Sequence, residues 1–233
     1  MEGAVNDDSL STKGGHLLTK PSSILSIKCM AQKPRLLLLL HHISKRQNVR
    51  TLLTSAAAFG AEVLVVGQPS FNETSHVPRR LAEALTQGEN ASICQPQPLY
   101  RRFHGTLEEC RDQLREQNVQ IWGVEIGEAA VNVEEIPWAT SASKWEKEGR
   151  GGIALLLGNE GTGMSARQAR VCDGFVYISQ YGQGTASLNV AVAGSIVMHR
   201  FSEWAADSCQ GGAEEERHVN DEFSASSVSS RGM

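Results

Sequence analysis

Apolar residues fall along this chain in short continuous runs and in helically spaced stretches, and the two kinds of segment alternate. Leu36 to His41 is a continuous apolar run that suits a strand buried on both faces. Val49 to Phe59 carries helix formers, with Leu52, Leu53, Ala56 and Phe59 on related faces and Gly60 as the stop. Glu62 to Val66 predicts the next strand, ending at Gly67. A long polar segment with Pro69, Pro78, Pro96 and Pro98 follows, interrupted by a helical pattern over Val77 to Leu85. Leu107 to Gln117 predicts a helix, Ile121 to Ile126 a strand, and Ser141 to Gly152 a charged loop. The last third predicts a strand at Ile153 to Leu157, a helix at Ser165 to Val171, a strand at Phe175 to Ile178 and a helix at Leu188 to Trp204. Repeated βαβ units imply a parallel sheet with helices on both faces. Ligands of such sheets collect at the carboxyl ends of the strands.

Two segments at such ends stand out. Gly158-Asn159-Glu160-Gly161-Thr162-Gly163-Met164-Ser165 and Ile178-Ser179-Gln180-Tyr181-Gly182-Gln183-Gly184-Thr185-Ala186-Ser187-Leu188-Asn189-Val190 each carry a strand through a glycine-rich turn into a helix. Glycine lets a ligand approach the main chain, and a helix start leaves unpaired N–H groups. A ligand held largely by backbone is implied, with Glu160, Ser187 and Asn189 as polar side chains around it. The first turn is not a P-loop, because no lysine follows its last glycine. Nor is it a Rossmann fingerprint: it lies late in the chain, lacks a glycine three residues after Gly163, and holds Glu160, whose carboxylate would repel a pyrophosphate.

Composition bounds this picture. The 233 residues, 40% hydrophobic and 21% charged, suit one α/β domain. The longest apolar run, Leu36 to Leu40, is far too short to span a membrane. Five scattered cysteines, an odd number without CxxC spacing, argue for a reducing compartment and against structural zinc. Residues 205–233 hold six acids against Arg217 and Arg231, which accounts for the whole net charge of −4. Residues 32–104 instead hold nine Lys or Arg and four acids, a basic half compatible with phosphate binding or with ordinary solvated surface. The expected organisation is a disordered leader over 1–31, a domain over 32–205 and a mobile acidic and serine-rich tail over 206–233. Acids at Glu2, Asp7 and Asp8 speak against a transit peptide, while Ser22, Ser23, Ser26 and Lys28 leave a chloroplast or mitochondrial address open beside a cytoplasmic one.

With these motifs in place the chain resembles the SpoU/TrmH branch of the SPOUT methyltransferases, most closely the plant-type members whose third motif reads Gln-Tyr-Gly before Ser-Leu-Asn. Asn48 through Gly60 resembles the first family motif, Leu157 through Ser165 the second and Ile178 through Val190 the third, and the likeness spans about residues 35 to 204. The resemblance implies a SPOUT-type parallel sheet closed by a C-terminal deep trefoil knot, a rare exception to unknotted topology. It implies S-adenosylmethionine bound bent in that knot, no metal, a tRNA or rRNA substrate methylated on a ribose 2′-hydroxyl, and a homodimer formed through the first and last helices. Cofactor contacts would then come from Val124, Gly158, Asn159, Gly161, Ile178, Ser187 and Leu188, with Glu125 beside Val124 at the strand end. The ordering residues of the reaction would be Asn48, Glu160, Ser187 and Asn189.

The chain departs from the family pattern at two places. Thr54 stands where the first motif usually has an arginine, and Arg50 stands where it usually has a glycine. Because residues i and i+4 share a helix face, Arg50 is the candidate to supply the missing charge from one turn back. The alternative is a pseudoenzyme that binds RNA and cofactor without methyl transfer. The third motif is also one residue longer than usual between Gly182 and Ser187. Simpler roles stand beside these: Asn159, Glu160, Ser187 and Asn189 as helix caps, His41 and His42 as structural residues at a strand end, and Tyr181 as loop cover.

Overall fold

The computed structural model describes residues 34–87, 100–142, 145, 148, 151–159, 161–183 and 187–208. Strands β1 (Arg35–Leu40), β2 (Glu62–Val66), β3 (Tyr100–Phe103), β4 (Val119–Val124), β5 (Ala130–Asn132), β6 (Gly152–Leu157) and β7 (Gly174–Tyr177) form one sheet. Its order is β3-β2-β1-β6-β4-β7-β5 and every pairing is parallel. Helices α1 (Arg46–Phe59), α2 (Glu73–His76), α3 (Arg79–Gln87), α4 (Leu107–Glu116) and α5 (Ala166–Val171) fill the crossovers, and α6 (residues 190–208) ends the described chain.

The apolar runs at the centre explain this order. Leu36 through Leu40 in β1 and all six residues of β6 are buried. Their side chains alternate between two cores, as the two-residue period of a strand requires. Leu36, Leu38, Leu40, Ile153, Leu155 and Leu157 pack with Leu52, Leu53, Val197 and Phe201 of α1 and α6. Leu37, Leu39, Ala154 and Leu156 pack on the other face with Leu107, Cys110, Leu114 and Val171 of α4 and α5. Each leucine of this kind contributes roughly 1.5–3 kcal/mol by leaving water. The two faces are therefore fixed by one run that a strand alone can split.

Four expectations need correction. Strands β3 and β5 were not expected: Tyr-Arg-Arg-Phe and Ala-Val-Asn have no buried run, because they lie at the two sheet edges and pair on one side only. β4 begins at Val119 and stops at Val124, two residues short of Ile126, because Glu125 and Ile126 turn toward the site. The charged stretch from Ser141 is helical at residues 142, 145 and 148, where Trp145 is buried against Trp204 with ring centroids 6.2 Å apart. The last helix begins at 190 and runs through 208, later and longer than the expected Leu188 to Trp204. The leader, and the tail from residue 209, lie outside the described residues.

Candidate functional site

The first glycine turn closes on itself. The Asn159 N–H donates to the Gly163 carbonyl at 2.8 Å and the Gly163 N–H to the Asn159 carbonyl at 3.0 Å. Glu125, just past the end of β4, clamps this turn: one carboxylate oxygen accepts the Met164 N–H at 2.8 Å and the other the Ile126 N–H at 3.2 Å. The clamp needs glycine on both sides of it. A Cβ on Gly158 or on Gly163 would lie 2.9 Å from Glu125 Oε2, and Gly163 also has φ +68°. Beyond the turn, Ser165 caps α5 in a reciprocal box with Gln168, whose amide also donates to the Leu157 carbonyl.

The second segment is held by Asn189. Its side-chain oxygen accepts the N–H groups of Ala191 (2.9 Å) and Val192 (3.4 Å), capping α6, while its Nδ2 donates to Asn48 Oδ1 at 3.1 Å. Capping and a cross-helix contact are thus one side chain's work. Asn48 is buried at 7% exposure in the first turn of α1, and α1 runs on beside α6 through a Ser55–Ser195 hydroxyl pair at 2.7 Å. On the far side of this segment, Asn132 of β5 donates to Ser179 at 2.9 Å.

Between the two turns lies a cavity of about 410 Å³, in the range of small-molecule sites. Its lining includes Asn48, Val124, Gly158, Asn159, Gly161, Ile178, Ser187, Leu188 and Asn189, nine of the residues expected from the sequence. Glu125, expected beside Val124 at the strand end, lines it too, and Lys45, Gly163, Tyr177 and Gln180 join them. Lys45 lies three positions before Asn48, in extended backbone at the N-cap of α1, and its nearness to Asn48 along the chain is the one signal that could have revealed it. Glu160 lies outside the described residues. Tyr181 is 93% exposed.

Arg50 is not brought to the cavity. Its guanidinium donates to the carbonyls of Ser75 (3.1 Å) and Val77 (3.4 Å), and Thr54 is exposed with its hydroxyl on the Arg50 carbonyl. Two positions along a helix are about 200° of rotation, so the helix that aims Asn48 inward aims Arg50 away. Much of the basic half is also engaged locally: Arg79 pairs with Glu83, Arg101 with Glu62, and Arg102 donates to the Phe71 carbonyl. His41 and His42 stack at 4.1 Å outside the cavity lining. Burial, then the neighbouring His42, lowers the His41 pKa to about 4. Burial pushes the Cys110 and Cys172 thiols up to about 11 and about 12, which makes both poor nucleophiles.

A parallel α/β sheet with a cavity at the carboxyl ends of its strands has the layout of a ligand-binding domain. Residues 35–199 match the SpoU rRNA Methylase family, and the chain belongs to that family. It is 30% identical over 167 residues to the 23S rRNA (guanosine(2553)-2′-O)-methyltransferase RlmP of Bacillus subtilis, a match covering 72% of this chain and 58% of that protein. The chain thus spans under two thirds of that relative's length. Among solved structures it is similar to a probable methyltransferase from Bordetella pertussis Tohama I (TM-score 0.54, 22% identity, 76% of this chain and 98% of that one). It is also similar to the SpoU methyltransferase AviRb from Streptomyces viridochromogenes in complex with AdoMet (TM-score 0.53, 19% identity, 75% and 62%).

Proposed function

We propose that this protein methylates a ribose 2′-hydroxyl in tRNA or rRNA, using S-adenosylmethionine. The observation that carries this reading is the convergence of both glycine turns on one cavity with the Asn48–Asn189 pair at its wall. The relatives' printed activities, ribose 2′-O-methylation of 23S rRNA, support the same chemistry.

The lining suits this cofactor. Main chain at Gly158, Asn159, Gly161 and Ile178 supplies donors and acceptors for an adenosyl group, and Val124, Leu157, Leu188 and Val190 supply apolar walls for its ring. Gly161, at φ +88°, has open space where a side chain would stand. When bound, the cofactor contributes an electrophilic methyl group. Glu125 keeps the turn closed, the Asn48–Asn189 clasp fixes α1 against α6, and Ser187 stands in the cavity wall beside that clasp. Holding nucleophile and electrophile in line while excluding water is the main catalytic task, because the methyl is already activated. Glu160 takes part from the same turn on the strength of the family motif.

The reading extends to a homodimer and to a knotted path of the last segment. Val192, 45% exposed, and half-buried Ile196 give α6 an apolar stripe for a second copy. The compartment we propose is the cytoplasm, with chloroplast or mitochondrion as the rival address; among the described residues no helix is long and apolar enough to cross a membrane. A second reading, the pseudoenzyme, is favoured by the engaged Arg50 and the uncharged Thr54. Calorimetry with S-adenosylmethionine and tritium transfer into RNA from cells lacking the protein separate them. Binding with transfer supports the enzyme, binding without transfer the pseudoenzyme, and no binding refutes both.

A further inference from the structure

Among the described residues lining the cavity, Lys45 is the sole cation and Glu125 the sole acid. The carboxylate oxygens of Glu125 accept main-chain N–H groups at Ile126 and Met164. Lys45 stands at the N-cap of α1 in extended backbone and lines the cavity together with Asn48, and the loop that delivers it is fixed. The Gln68 side chain, itself 5% exposed, accepts the Ile43 N–H at 3.4 Å and donates to the Ile43 carbonyl at 2.9 Å. The Lys45 carbonyl then accepts the N–H groups of Asn48 and Val49.

The local sequence works against the helix it begins. Lys45 occupies the N-cap position without a side-chain cap bond, Arg46 follows, and the first turn of α1 contains no acid. Caps favour Ser, Thr, Asp and Asn, and cations are disfavoured at the positive end of a helix. Departures from local rules concentrate where function requires them.

We infer that Lys45 binds a backbone phosphate of the RNA strand whose ribose enters the cavity. This rests on the methyltransferase reading above and names a substrate contact within it. Magnitudes select the phosphate over the reacting oxygen. Lys45 is exposed, and a charge pair in bulk water is worth only about fivefold, whereas a desolvated donor on a developing oxyanion is worth about 10²–10³-fold. An exposed ammonium instead gains from displacing the counterions condensed on a nucleic acid.

The test is fluorescence anisotropy of a short, mixed-sequence, single-stranded RNA with the full chain, across a KCl series and without cofactor. Lys45→Gln is expected to lower the slope of log affinity against log salt by about 0.7 and to weaken binding about three- to tenfold at low salt. Lys45→Arg should restore both values, while S-adenosylmethionine affinity by calorimetry stays within about twofold. In tritium transfer the Lys45→Gln loss should fall on KM for RNA, not on kcat. An unchanged salt slope, failure of rescue by Arg, or a loss confined to kcat overturns the assignment while leaving the methyltransferase reading intact. Wild-type protein that binds no RNA at any salt concentration overturns both.

Discussion

Replacing Gly163 by alanine tests the cofactor turn at its tightest point. Two costs arise together. A non-glycine residue held at φ +68° loses about 1–2 kcal/mol. The new Cβ would lie 2.9 Å from Glu125 Oε2, so the carboxylate must withdraw from the Met164 N–H that it now meets at 2.8 Å. Losing a charge-assisted hydrogen bond costs about 1.5–3 kcal/mol. The total of roughly 2.5–5 kcal/mol falls on the turn, because Glu125 lines the cavity and Met164 closes the turn that it clamps. S-Adenosylmethionine affinity should then drop by about 30-fold or more, read by calorimetry at matched fold content in far-ultraviolet circular dichroism. Gly161→Ala separates the two costs. It shares the left-handed backbone (φ +88°) but meets no atom within 4 Å, so its loss should stay near tenfold. Gly182→Ala, with open space and no positive φ, is the control. If Gly163→Ala bound the cofactor as tightly as Gly182→Ala does, the clamp between Glu125 and the turn would not be what shapes the site.

Other consequences can be measured directly. Asn189→Ala removes both the α6 cap and the donor to Asn48, costing about 2–3 kcal/mol and lowering Tm by several degrees, whereas Asn189→Asp should keep the cap but not the clasp and fall between. His41 has a depressed pKa of about 4 against 6.5 unfolded, so its neutral form is stabilising above pH 6.5 and this stability is lost as pH falls toward 4, by up to about 3 kcal/mol. Urea unfolding of His41→Gln should show a shallower acid loss over that window, and an identical pH profile would refute the assignment. Arg50→Ala should lower Tm by a few degrees through loss of its bonds to Ser75 and Val77. Its single-turnover methylation of RNA should stay within about twofold of wild type, and a large drop there would restore Arg50 to the site.

The continuous leucines of β1 and β6 specified a buried parallel sheet from sequence alone, since only a strand flanked by helices on both faces hides such a run. The two glycine turns were equally legible, because a strand, a glycine cluster and a helix start are all local signals. What the sequence could not convey was direction around a helix in three dimensions. Arg50 and Lys45 both lie near Asn48 along the chain, yet only Lys45 lines the cavity with it, and carbonyls in α2 and at its C-cap hold Arg50 instead. The edge strands β3 and β5 carry no buried run, so their existence depends on partners brought alongside by the fold. The Glu125 clamp joins residues 39 positions apart, and the Asn48–Asn189 clasp joins residues 141 apart. Local chemistry therefore determined which turns could hold a ligand; long-range packing alone decided which side chains face it.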